Sequence, residues 1–316
     1  MANSTPHPAP FGDSYAFVAN ALVIAEHGEG LRAAGEALTL AGVRLTGEAR
    51  FAEAAAQLAE QVTTDLILIE AVGAPEALLD SVLARADATA RERGAAVVAA
   101  IGEDQIDVAA AHLLGRNCQL LCMPSMAERV TALAVAKQRL TGRLNDTSRD
   151  AETERLQRLN EEVARIADTL ARLTRSETTE RRKGVRAPGP DYRGPSDGEG
   201  PQPSAQEIRA TIRSRRLRAQ FFAGELFADP AWDMLLDLFA AELERRQVSV
   251  SSLCIAAAVP PTTALRWIGT LHDAGLFERH ADPSDRRRAY IALSAKGLDG
   301  MRNYVAAAKR QGLSIV

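Results

Sequence analysis

Apolar residues in the first half of the chain come in two alternating rhythms. Phe17–Ala25, Val43–Thr46, Leu66–Ile69, Ala96–Ile101 and Cys118–Cys122 are short strand-like segments, most of them nearly continuous apolar runs. Between them, Leu31–Ala41, Phe51–Gln61, Pro75–Arg93, Gln105–Leu114 and the stretch from Ala127 onward space their apolar residues by three and four. The first rhythm is that of strands buried on both faces and the second that of amphipathic helices. Five strands in strict alternation with five helices predict an α/β domain over residues 14–146, with a flavodoxin-like parallel sheet covered on both sides. In such a sheet, function collects at the carboxyl ends of the strands.

Near residue 147 the rhythm changes. Leu156, Leu159, Val163, Ile166, Leu170 and Leu173 recur by three and four, the seam of a coiled coil over residues 147–183. Glu154 with Arg158, Glu161 with Arg165, and Asp168 with Arg172 place acid before base at i,i+4 on the outer face. Two readings stand: the seam pairs two copies of the chain, or the helix folds back on its own domain. Residues 184–205 are rich in Gly and Pro and poor in apolar residues, as expected of a flexible linker. Arg209, Arg213, Arg215, Arg216 and Arg218 follow on a predicted helix, where they either touch a nucleic-acid backbone or form solvated surface.

The last part, 206–316, carries the most specific pattern. Ser251–Ala258 reads as a short helix, Val259-Pro260-Pro261 as a turn, and Thr262–Ala274 as a second helix stopped by Gly275. Pro261 suits a first helical turn, where its missing N–H is not needed, and Gly suits the left-handed residue that ends a helix. Leu265, Ile268, Leu271 and His272 form the inward stripe, leaving Thr262, Thr263 and Arg266 near the N-terminus on the other side. Leu276–Arg279 and Ala289–Leu293 alternate as strands, which makes Asp282-Pro283-Ser284-Asp285-Arg286-Arg287-Arg288 a hairpin tip. Three arginines there suit phosphate or a narrow minor groove. The alternative is a solvated charged loop.

Together, Thr262-Thr263-Ala264-Leu265-Arg266, Leu271-His272-Asp273-Ala274-Gly275-Leu276, Asp282-Pro283-Ser284-Asp285-Arg286-Arg287 and Leu293-Ser294-Ala295-Lys296-Gly297 resemble the winged helix-turn-helix of MarR-type transcription regulators. The resemblance covers roughly the last third of the chain. It implies double-stranded DNA as partner, with Thr262, Thr263 and Arg266 facing bases or nearby phosphates and Arg286 and Arg287 as the wing contacts, oriented by Asp285; their neighbours Pro261 and Arg288 are counted with this expected DNA-binding set. It also implies a homodimer. The chain departs from the family in carrying a whole further domain in front.

Charge fits this division. The net charge is only -3, yet residues 14–146 hold 11 Lys/Arg against 17 Asp/Glu, whereas residues 206–316 hold 16 against 12. The basic excess sits on the DNA-reading part, as electrostatic steering requires. Cys118, Cys122 and Cys254 lack metal-ligand spacing with the five His residues, so no zinc site is expected, and a redox role for Cys118 with Cys122 is the lesser reading. No run approaches the length of a membrane span and Met1–Gly12 lacks the blocks of a signal peptide, so the expected location is the cytoplasm.

The N-terminal domain has its own resemblance. Gly42-Val43-Arg44-Leu45-Thr46-Gly47-Glu48-Ala49, Asp65-Leu66-Ile67-Leu68-Ile69-Glu70 and Met123-Pro124 are similar to the receiver domain of bacterial response regulators. That family places an acidic pair, a phosphate-accepting Asp, a hydroxyl and a Lys-Pro where this chain has Glu26-His27, Glu70, Ala100 and Met123-Pro124. An acyl phosphate here would lack its charged and hydroxyl partners, which implies a receiver fold without phosphotransfer. Glu70 is then either a permanent mimic of a charged acceptor or a solvated carboxylate at a strand end. Glu26, His27 and Glu70 could chelate a divalent metal, and Gly28, Gly30 and Ala33 satisfy a loose dinucleotide pattern with Glu48 downstream. Both are weaker readings, and no cofactor is expected.

These expectations describe a dimeric, non-enzymatic, DNA-binding transcription regulator whose receiver-like domain senses or docks without phosphorylation. Two other functions remain open at this point: an adaptor that docks a regulatory protein, and a small-molecule sensor with a pocket at the strand ends.

Overall fold

The computed structural model describes residues 18–60, 63–115, 117–142, 203–222, 227–282, 284–285 and 287–313. The seam from Leu156 to Leu173, residues 184–202 of the linker, and Arg286 lie outside them. The described residues fall into two compact units, one made of those within 18–100 and 124–141, the other of those within 101–123 and 203–313 together with 142.

The N-terminal strands are β1 (Asn20–Ala25), β2 (Arg44–Ala49), β3 (Leu66–Glu70), β4 (Ala96–Ile101) and β5 (Cys118–Cys122), in the order β2-β1-β3-β4-β5. The pairs β1·β2, β1·β3 and β3·β4 are parallel. This is the doubly wound flavodoxin-like order, which reverses between β1 and β3. Helices α1 (Gly28–Ala41), α2 (Ala54–Glu60), α3 (Glu76–Arg93), α4 (Ile106–His112) and α5 (126–142) alternate with the strands. Every residue of β3 and β4 is buried, which is why Leu66–Ile69 and Ala96–Ile101 read as unbroken apolar runs. The edge strand β2 is mostly exposed and shows no such run.

Gly30 lies inside α1, where an added Cβ would sit 3.2 Å from Glu70 Cβ and 3.5 Å from Ala25 Cβ. Its smallness lets the helix approach β1 and β3. Neither Gly28 nor Gly30 has the positive φ of a tight phosphate-binding turn, and Glu48 is exposed on β2. The dinucleotide reading therefore loses its geometric basis.

In the C-terminal part, α6 (Ala205–Leu217) packs on α7 (Pro230–Leu243), followed by β6 (Val248–Ser249), α8 (Val250–Ala256), α9 (Pro261–Asp273), β7 (Phe277–Ala281), β8 (Ala289–Leu293) and α10 (Ala295–Arg310). The small antiparallel sheet has the order β6-β8-β7, so β8 is its centre. Its core is formed by Phe239, Leu253, Ile268, Phe277, Ile291 and Val305, all nearly inaccessible.

The α6 arginines are not the uniform solvated or DNA-facing set expected from sequence. Arg209 pairs with Asp237 and with Glu244 (3.0 Å), and Arg215 pairs with Asp233 (2.6 Å), so these two tie α6 to α7. Arg216 donates to the Ala256 carbonyl, Arg218 lies over the Phe227 ring, and Arg213 is exposed.

Candidate nucleic-acid interface

Helix α8 is capped by Ser249, whose hydroxyl accepts the Ser252 N–H at 3.2 Å. Helix α9 starts with Pro261 in its first turn and buries Ala264, Leu265, Ile268 and Leu271. That stripe leaves Pro261, Thr262 and Thr263 half-buried and Arg266 exposed, and Thr262 and Arg266 share a face at i,i+4. Ala274 ends the helix and Gly275 adopts φ 69°, the left-handed conformation that turns the chain into β7.

The hairpin tip is organised by Asp282. One of its carboxylate oxygens accepts from Ser284 N (2.8 Å), Ser284 Oγ (2.6 Å) and Asp285 N (3.3 Å), and the other accepts from Tyr290 Oη (2.8 Å). These bonds, from Ser284 above all, hold its pKa down to about 2. Asp285, which the family resemblance makes the orienting residue, accepts from Arg287 N at 3.0 Å and pairs with Arg287 Nε (3.3 Å) and Arg288 Nε (3.6 Å). Both arginines are largely exposed, at 52% and 66% of the side chain. Ion pairs at such exposure are weak.

Residues 235–297 match the family model of the winged helix DNA-binding domain. This part of the chain is a winged helix. The match runs from within α7 through β8 to the start of α10. No curated relative matches the chain. Among solved structures it is similar to S. aureus MepR bound to ethidium bromide (15% identity, 34% of this chain and 71% of that one, TM-score 0.25). It is likewise similar to the transcriptional regulator Tm0710 from Thermotoga maritima (18% identity, 34% and 75%, TM-score 0.22) and to apo, heme-free PefR (14% identity, 34% and 97%, TM-score 0.19).

At the strand ends of the first unit, Glu70 is not a solvated carboxylate. It is 4% exposed, and Arg129 on α5 grips both its oxygens, Nε to Oε1 and Nη2 to Oε2, each at 2.9 Å. The Arg129 side chain also donates to the Pro124 carbonyl. Its own pKa is raised, chiefly by the bond to Glu70. Glu26 instead accepts from Phe51 N (3.4 Å), and His27 Nε2 contacts the Gly73 carbonyl (3.1 Å). The three residues proposed as metal ligands thus turn to separate partners. Ala100 is fully buried, while Met123 is 62% exposed with φ 46°.

The cysteines bear on chemistry only by exclusion. Cys118 and Cys122 stand four residues apart on β5, roughly 13 Å at strand rise, beyond disulfide reach. Burial pushes the Cys122 thiol up and the Cys254 thiol up to about 12, away from thiolate reactivity.

Two further acids share the low pKa of Asp282. Glu207 is held at about 2, chiefly by Lys309, and Glu244 at about 2, chiefly by Arg209. A carboxylate whose folded pKa is depressed contributes stability that is complete above its unfolded pKa and is lost as pH falls through the folded one. Denaturant midpoints are therefore expected to fall between pH 4.5 and about 2. The combined Glu207→Gln, Glu244→Gln and Asp282→Asn variant should show a shallower acid slope. An unchanged slope would place the acid sensitivity elsewhere.

Proposed function

We propose that the chain is a DNA-binding transcription regulator that acts as a homodimer, with a receiver-like domain that works without phosphorylation and without enzymatic activity. The observation that carries this reading is the pairing of exposed Arg266 on α9 with exposed Arg287 and Arg288 on a tip set by Asp282. Entry of α9 into a major groove would bring Thr262, Thr263 and Arg266 to base edges or adjacent phosphates, while the wing arginines neutralise the backbone. Arg286 belongs to the same tip in sequence. The engagement of both Glu70 oxygens by Arg129 supports phosphorylation independence, since an acceptor carboxylate needs an oxygen free to react. The seam from Leu156 to Leu173 is the proposed dimer clamp, which would match a two-fold related site.

Arg266→Ala should weaken binding to a selected site by roughly 5-fold to 150-fold, the cost of about 1–3 kcal/mol for a lost base contact, with little change on random DNA. Arg287→Ala should weaken both DNAs about equally. Fluorescence anisotropy with both duplexes checks this, and equal losses for both variants on both DNAs would overturn the division of roles.

A further inference from the structure

One residue of the α9 face that is expected to read DNA, Thr262, is already engaged, while Arg266 beside it is exposed. Within the second unit, the Thr262 hydroxyl accepts the Cys122 N–H at 3.0 Å and donates to the Cys122 carbonyl at 3.1 Å. Cys122 ends β5, the outermost strand of its sheet, so one hydroxyl satisfies an edge donor and acceptor that would otherwise stand open. Two more contacts join the same surfaces. The Asp107 carboxylate on α4 accepts from Ser251 N (2.9 Å) and Ser251 Oγ (2.7 Å) at the start of α8. The Arg279 guanidinium on β7 donates to the carbonyls of Ala110 (3.2 Å) and Ala111, near the end of α4. Helix–turn–helix and wing strand alike are thus held by α4 and β5, through partners at least 140 residues distant in sequence.

We propose that α4 and β5 form an intramolecular cover over the recognition face, so that DNA binding requires these contacts to break. The inference rests on the reading of α9 as the DNA-contacting helix. Thr262 cannot keep both bonds to a strand edge and also face a base edge, and Arg266 shares its helical face. The same hydroxyl is thus contested by two ligands, the chain's own backbone and the duplex. Apparent DNA affinity is then the affinity of the uncovered form scaled by the fraction of molecules uncovered. Any partner that takes the β5 edge or α4 would raise it.

Asp107 is the clean handle, because it lies on the cover and not on the DNA-reading elements. Removing its two charge-assisted bonds with Asp107→Ala should raise the affinity of the full-length chain for a random-sequence duplex at low salt by about tenfold, and Asp107→Asn by less. A second measurement needs no variant. Amide exchange of the segment Cys118–Met123 should become faster when wild-type protein binds the duplex, since the Cys122 N–H loses Thr262 as its acceptor. Bound segments ordinarily slow, so the sign is diagnostic. Wild-type binding with no faster exchange at Cys122, or an Asp107→Ala protein that is folded yet binds no tighter, overturns the cover and leaves the DNA-binding function standing. Failure of both wild type and Asp107→Ala to bind any duplex at low salt overturns the DNA-binding reading and the cover with it.

Discussion

Arg129→Ala should lower the unfolding free energy by about 3–5 kcal/mol, the largest single effect expected from an exchange at the strand ends. The arginine side chain is 14% exposed and its partner Glu70 4% exposed, so truncation strands a carboxylate that has little access to water. Removing one member of such a pair leaves a charge whose desolvation is no longer offset. Arg129→Lys should recover only part of the loss, because an ammonium cannot span both carboxylate oxygens as the planar guanidinium does. Replacing both residues by leucine should fall near wild type, since neither charge then remains. Urea denaturation reads all three. A loss below about 1 kcal/mol for Arg129→Ala would equate the pair with an exposed ion pair and contradict its structural role.

Gly297→Ala is expected to be nearly as severe, at about 3 kcal/mol, the upper end for an overpacked site. Gly297 lies in the first turn of α10, where an added Cβ would come within 2.3 Å of the Leu276 carbonyl oxygen and 3.2 Å of its carbon. Those are backbone atoms at the entrance to β7, and the same oxygen accepts the Ser294 N–H at 2.9 Å. The obstacle cannot rotate aside like a flexible side chain. Either α10 lifts from the wing sheet or β7 shifts, and both disturb the buried contacts of Phe277 and Leu293. At Gly300, three residues on, an added methyl would meet nothing within 4 Å, so Gly300→Ala is the control and should be neutral or slightly stabilising. Equal midpoints for the two variants would refute the steric account.

Much of the fold was legible because burial on both faces leaves a strong mark. Ala21–Ala25, Leu66–Ile69 and Ala96–Ile101 read as unbroken apolar runs for that reason, and the Pro261 start and Gly275 stop of α9 are local chemistry. The exposed edge strand β2 ran three residues past its expected end, to Ala49, since no apolar run continues there. The two-residue β6 carries no period at all and becomes a strand only through its pairing with β8.

The site was legible only where it is local. The wing arginines announce themselves, but Asp282 gathers the tip through four donors that converge on it only in the fold. Arg129 is separated from Glu70 by 59 residues and reads as an ordinary helix arginine. For α6 a signal was available: Asp233, Asp237 and Glu244 recur by four and seven along α7 and mark an acidic face able to receive Arg209 and Arg215. No local pattern could have joined Thr262 to Cys122, because that contact depends on tertiary placement alone.

The central claim is that the winged helix binds DNA through Arg266 and the wing, and a salt titration of the full-length chain tests it most directly. For wild type, log Kobs on a duplex should fall linearly with log salt concentration, with a slope of about -0.9 per phosphate contacted. The Arg287→Ala, Arg288→Ala double variant should lose nearly two contacts from that slope, about 1.8. A slope near zero, or one that the double variant leaves unchanged, would contradict the account and move the wing arginines from DNA to some other partner.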